Sequence, residues 1–226
     1  MITDKAIMKK FCSLLLWALM MFCTHLYAGE NKAVGFGFEV GINKELPKNF
    51  DIGLFTELHT CQTFTALEHY CIILHTGYTP VSWLHVEIGY QFMDINNAED
   101  RADLPLGWVK MHRAFGGLEG TYEIKGFSVS LRERYDFTSN PGTHDMRSRL
   151  ALGYEFQKVP LGIGLSYEII NDLQHKFKPL QMFYRIGIEY TVKEQHTLEL
   201  GVGFNGYDFQ EEERGHLIEL GYEFSF

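Results

Sequence analysis

Long apolar runs are missing from this 226-residue chain after about residue 30, so no later segment offers the roughly 20 consecutive apolar residues that a membrane-spanning helix needs. A membrane reading therefore has to be a barrel reading. Cysteine is scarce too. Of the four, Cys12 and Cys23 fall in the first 28 residues, which leaves Cys61 and Cys71, too few for a disulfide framework. Those two either pair across a hairpin in an oxidising compartment or stand as unpaired wall residues. Positive charge is in short supply: the formal net charge is −9, and it becomes more negative once Asp4, Lys5, Lys9 and Lys10 are removed with a leader. A nucleic-acid partner requires a basic face, so that class is excluded.

What the chain has begins with an address. Lys5, Lys9 and Lys10 precede the apolar run Phe11 to Phe22, and a small residue, Ala28, follows shortly after. A basic n-region, a short h-region and a small residue at the cleavage point predict a secretory signal peptide over 1–28, leaving a mature domain over 29–226. An uncleaved anchor fits less well, because the apolar run is too short to span a bilayer. A lipid anchor on Cys23 would need a small residue before it, and Met20, Met21 and Phe22 supply none.

From residue 33 onward the apolar residues recur with period two. Val34, Phe36, Phe38, Val40 and Ile42 oppose Gly35, Gly37, Glu39 and Gly41. Phe127, Val129 and Leu131 oppose Ser128, Ser130, Arg132 and Arg134. Soluble sandwiches also alternate, but here the polar face combines Gly, Ser, Arg and Glu, as a polar lumen does. The apolar rows end in aromatics such as Trp83, Trp108, Tyr122 and Tyr154, which suits girdles at two membrane interfaces. Short links near 79–82, 123–126, 158–160 and 193–195 alternate with longer polar ones near 94–107, 139–145, 171–178 and 210–214, as expected of periplasmic turns and outer loops. The prediction is an all-β, transmembrane antiparallel β-barrel in a bacterial outer membrane.

Eleven strand candidates can be counted, at about 33–42, 50–61, 66–78, 82–93, 108–122, 126–138, 146–157, 161–171, 179–192, 196–208 and 215–226. Bacterial single-chain barrels have even numbers with both termini in the periplasm, so the expectation is about 10 to 12 strands: ten if the first hairpin contributes only one full crossing, twelve if one segment is two pieces. The closing row Ile218, Leu220, Tyr222, Phe224 and Phe226 ends on an aromatic residue. Tyr222, Phe224 and Phe226 resemble the C-terminal signal that the barrel assembly machinery reads, which makes that machinery and outer-membrane lipid the expected partners.

The stretch Val129-Ser-Leu-Arg-Glu-Arg-Tyr-Asp-Phe137, with Met146-Arg-Ser-Arg-Leu150, Gly153-Tyr-Glu-Phe156 and Tyr184-Arg-Ile-Gly-Ile-Glu-Tyr190, resembles a family of uncharacterised outer-membrane barrels from Bacteroidota. The resemblance implies a barrel and an envelope address, and it carries over no catalytic residue.

Parity and loop pattern assign two lumen groups. Arg113, Arg132, Arg134, Arg147, Arg149 and Arg185 lie towards the long loops, and Glu119, Glu155, Glu189, Glu199 and Glu223 towards the short turns. One reading is a positively charged, narrow anion-preferring channel for small anionic solutes. The other is a salt-bridged filling of a narrow barrel, since charges withdrawn from water need partners. Glu133 falls on the lipid row and is expected near the outer rim, where its cost is tolerable.

Two further classes have candidate residues in the sequence. An outer-membrane enzyme acting on lipid or lipopolysaccharide would need His59, His85, His112 or His144 within reach of Ser128, Ser130, Ser139 or Ser148, and no motif joins them. A surface-binding protein would use the acidic loop with Asp94, Glu99, Asp100 and Asp103. No cofactor is implied, and no metal site is predicted: His69 and His75 share a strand six residues apart, too far for one ion.

Overall fold

The computed structural model describes residues 34–61, 66–97, 107–140, 142–193, 195–207 and 214–226. The leader predicted over 1–28 and Glu99, Asp100 and Asp103 of the acidic loop lie outside the described residues. The described residues are all β with their turns: β1 (Val34–Leu46), β2 (Phe50–Cys61), β3 (Ala66–Val81), β4 (Leu84–Asn97), β5 (Gly107–Ile124), β6 (Phe127–Thr138), β7 (Thr143–Glu155), β8 (Leu161–Asp172), β9 (Lys178–Val192), β10 (His196–Tyr207) and β11 (Arg214–Ser225). Each coincides closely with a strand read from alternation.

Consecutive strands pair antiparallel, and the barrel closes where β1 meets β11 in parallel. Among the described residues the strands number eleven, an odd count, so both even expectations, ten and twelve, are corrected. Each strand reverses the chain, so eleven reversing strands make the first and last run the same way. Val34 lies beside His216 and Asn43 beside Ser225, which places the start of β1 at the opposite end of the barrel from Phe226. The first hairpin is complete, with β1 and β2 paired from Phe36↔Thr60 to Leu46↔Phe50. Phe226 is held against β1. Its backbone N–H donates to the Asn43 carbonyl at 3.1 Å, and the Lys44 ammonium lies 4.5 Å from its ring centroid.

Every strand sends at least one large apolar side chain outward into exposure: Ile42, Leu54, Ile72, Ile88, Leu118, Leu131, Leu150, Leu165, Ile186, Leu198 and Leu220, in chain order from β1 to β11. A soluble monomer does not expose so continuous an apolar belt, whereas a barrel in lipid requires it. The strands are 12 to 18 residues long. At ~3.3 Å per residue and a tilt of ~35–45°, even the shortest crosses an apolar band ~25 Å tall. Turn chemistry sets the registers at the short-turn end. Lys125 and Gly126 both have positive φ, 50° and 85°, giving the two-residue hairpin that matches strand twist. At Gly126 a Cβ would come 2.6 Å from the Glu155 carbonyl oxygen, so glycine is required there.

Register bears on two further expectations. Glu133 does face outward, but it pairs with Leu118 and Ser148 in the middle of β6, not at the rim. Its carboxylate accepts a hydrogen bond from the Ser148 hydroxyl at 2.7 Å, which supplies in the wall what water would supply at the rim. Cys71 is a free thiol opposite Glu57. Inside, Cys71, Met93, Val109 and Met111 form an apolar cluster against Ile73 and Ile95, filling the β3–β5 wall. The Phe115 ring lies over Gly89, where a Cβ would meet it at 2.2 Å.

Candidate functional site

Alternation places Arg132, Arg134, Asp136 and Thr138 on one face of β6, and Asp145, Arg147 and Arg149 on one face of β7. Because β6 pairs Arg132↔Arg149, Arg134↔Arg147 and Asp136↔Asp145, the two faces form one inward lattice. Directly opposed guanidiniums would repel. The lattice answers with carboxylates between them. Asp136 is fully buried, with Arg147 Nε at 2.7 Å, Arg134 Nε at 2.9 Å and Arg113 Nε at 3.7 Å. Glu168 bridges Arg132 at 2.9 Å and Arg147 at 3.3 Å. Glu119 takes Arg149 at 3.2 Å, and Glu219 takes Arg185. Arg113 also donates to Thr138 Oγ1 and Gln91 Oε1, and Arg134 lies 4.6 Å over the Phe115 ring.

The acidic group named from sequence is less concentrated. Glu119 belongs to the arginine lattice. Glu189 and Glu199 oppose each other across β9 and β10, with Glu189 accepting from Thr191, and Glu223 accepts from Ser225. Glu155 is exposed at the end of β7. The carboxylates that matter most to the arginines, Asp136, Glu168 and Glu219, were missed. The signal was present: Asp136 follows Arg132 and Arg134 at i+2 spacing, so it had to share their face.

A second inward group occupies β1–β3. Glu39 sits directly opposite Glu57, Glu57 opposite Cys71, and His59 opposite His69. The imidazoles of His59 and His69 stack with centroids 4.2 Å apart, and Cys71 Sγ donates to Glu57 Oε2 at 3.2 Å. His59 Nε2 lies 3.9 Å from Glu57 Oε2. Glu57, His59 and His69 bring ligand-type atoms within 4.8 Å of one another. Farther along, Asp51 lies 4.0 Å from His75 and 3.9 Å from His85.

Of the candidate histidines and serines, His112 and Ser139 are neighbours, joined by the Ser139 backbone N–H donating to the His112 carbonyl at 2.8 Å. His112 and His144 sit on the outer wall, hydrogen-bonded to Tyr90 and Tyr135 respectively. Ser148 serves Glu133 there, and His85 pairs with Thr79 at 3.1 Å. Asp94 of the acidic-loop reading is a buried residue of β4 that accepts a hydrogen bond from Tyr70.

No protein-family model matches the chain, and no curated protein matches it either. Among solved structures it is similar to "NanC porin structure in rhombohedral crystal form", with TM-score 0.49 and 12% sequence identity, covering 85% of this chain and 96% of that one.

Proposed function

We propose that this chain is an outer-membrane barrel whose arginine sector is an internal brace, an ion-paired lattice that holds one wall of the lumen and leaves no free lane for anions. Asp136 carries the reading, since its side chain is 0% exposed and lies within salt-bridge distance of three guanidiniums. An anion-preferring passage needs guanidiniums left over for solute. Here Asp136, Glu168, Glu119 and Glu219 engage all six arginines, and Asp145 and Glu87 lie in neighbouring inward positions. The inward wall of β1 and β2 then adds Glu39, Asp51 and Glu57 with no lysine or arginine on the inward face of those two strands. The sum of inward charge is acidic, which disfavours small anions. The outer-membrane address is supported by the apolar belt and by the alternation of short turns with longer loops.

Reconstitution into planar bilayers tests the reading. The expected result is either no current or a small current that prefers cations. An anion-preferring current reduced by Arg132→Ala and Arg149→Ala would replace the brace with the passage for small anionic solutes.

A further inference from the structure

The β2–β3 hairpin presents a chemistry that the brace does not use. We infer that Glu57, His59 and His69 form a lumenal binding site for a borderline divalent transition-metal ion of the zinc type, with the Cys71 thiol positioning the Glu57 carboxylate.

On one face of an antiparallel pair, residues directly opposite have Cβ atoms ~4.5–5.5 Å apart. The pairs Glu57↔Cys71 and His59↔His69 therefore project four side chains from one small rectangle into the lumen. Two imidazoles and a carboxylate with their ligand atoms inside 4.8 Å match the two-histidine, one-carboxylate donor set that zinc-type ions accept with a fourth position open to water. Calcium and magnesium prefer all-oxygen shells, so they fit less well. The face beside this set is acidic. Glu39 and Glu57 are directly opposed, and β1 to β4 carry no lysine or arginine on their inward positions. The Cys71 Sγ to Glu57 contact of 3.2 Å fixes one carboxylate oxygen, as partners behind a metal ligand do.

The inference goes beyond the brace and stands if the brace fails, because it uses none of the six arginines. The test is Zn2+ titration of the purified, folded full chain in detergent, read by competition with a chromogenic chelator and by Co2+ ligand-field absorption. Folding of each variant is checked by heat-modifiable gel migration. One equivalent is expected to bind. His59→Ala and His69→Ala should each weaken binding on the order of a hundredfold or more, exceeding the usual loss of a supporting partner. Cys71→Ser should weaken it about tenfold. His175→Ala, in the β8–β9 link, should leave it unchanged. Absence of stoichiometric binding, binding that survives both histidine changes in folded protein, or a thiolate-to-cobalt band would overturn this ligand set.

Discussion

The two inward sectors of the barrel are built from the same strand geometry and reach opposite outcomes. In the β5–β9 sector, like charges directly opposed across β6 and β7 are separated by acids from the same and the next strand, so Asp136 and Glu168 each serve more than one guanidinium. In the β1–β3 sector, the opposed pairs are Glu39 with Glu57 and His59 with His69, and no lysine or arginine of these strands shares the face. The first sector gives each of its arginines an acid, while the second sets carboxyl against carboxyl and imidazole against imidazole. The lesson is that inward charge in a barrel is informative by its residual, after cross-strand partners are assigned.

That contrast can be broken at its strongest point. Asp136→Asn leaves three guanidiniums around a buried neutral amide, and removing one partner of a buried ionic group costs about 3–5 kcal/mol. Urea unfolding in detergent should show that loss, and a change under 1 kcal/mol would mean the lattice is decorative. A smaller effect is expected at the seam between the sectors. Gly89→Val would drive a side chain into the Phe115 ring that carries Arg134, and overpacking of this kind costs about 1–3 kcal/mol. The smallest effect has the opposite sign. Glu39→Gln removes one of two facing carboxyls, and in chelator-treated protein it should stabilise the barrel by about 0.2–1 kcal/mol. If this variant instead loses stability in the metal-free state, the β1–β3 sector is as self-sufficient as the arginine sector and the contrast disappears.

Much of the barrel was legible in the chain because period-two alternation is written across whole strands and needs no partner to be read. Arg132, Arg134, Arg147 and Arg149 could be placed in the lumen from parity alone. Asp136 shares that parity, two residues after Arg134, and is legible on the same grounds. His59 and His69 were a different matter. They are ten residues apart on separate strands, and only the register of β2 on β3, shifted by a bulge at His59/Thr60, sets them face to face. Glu133 shows the same limit on the outer wall, where its side was legible and its depth was not.

The sequence by itself determined the strands, their two faces and the apolar belt, because each is a local consequence of alternation along a pleated backbone. Tertiary structure alone decided the parity of the barrel and the identity of the partners. Closure of β1 on β11 in parallel, the threefold company of Asp136 and the Glu57, His59 and His69 cluster all depend on which strands meet and in what register. A one-residue slip would turn every one of those side chains to the other face, and no local pattern records that choice.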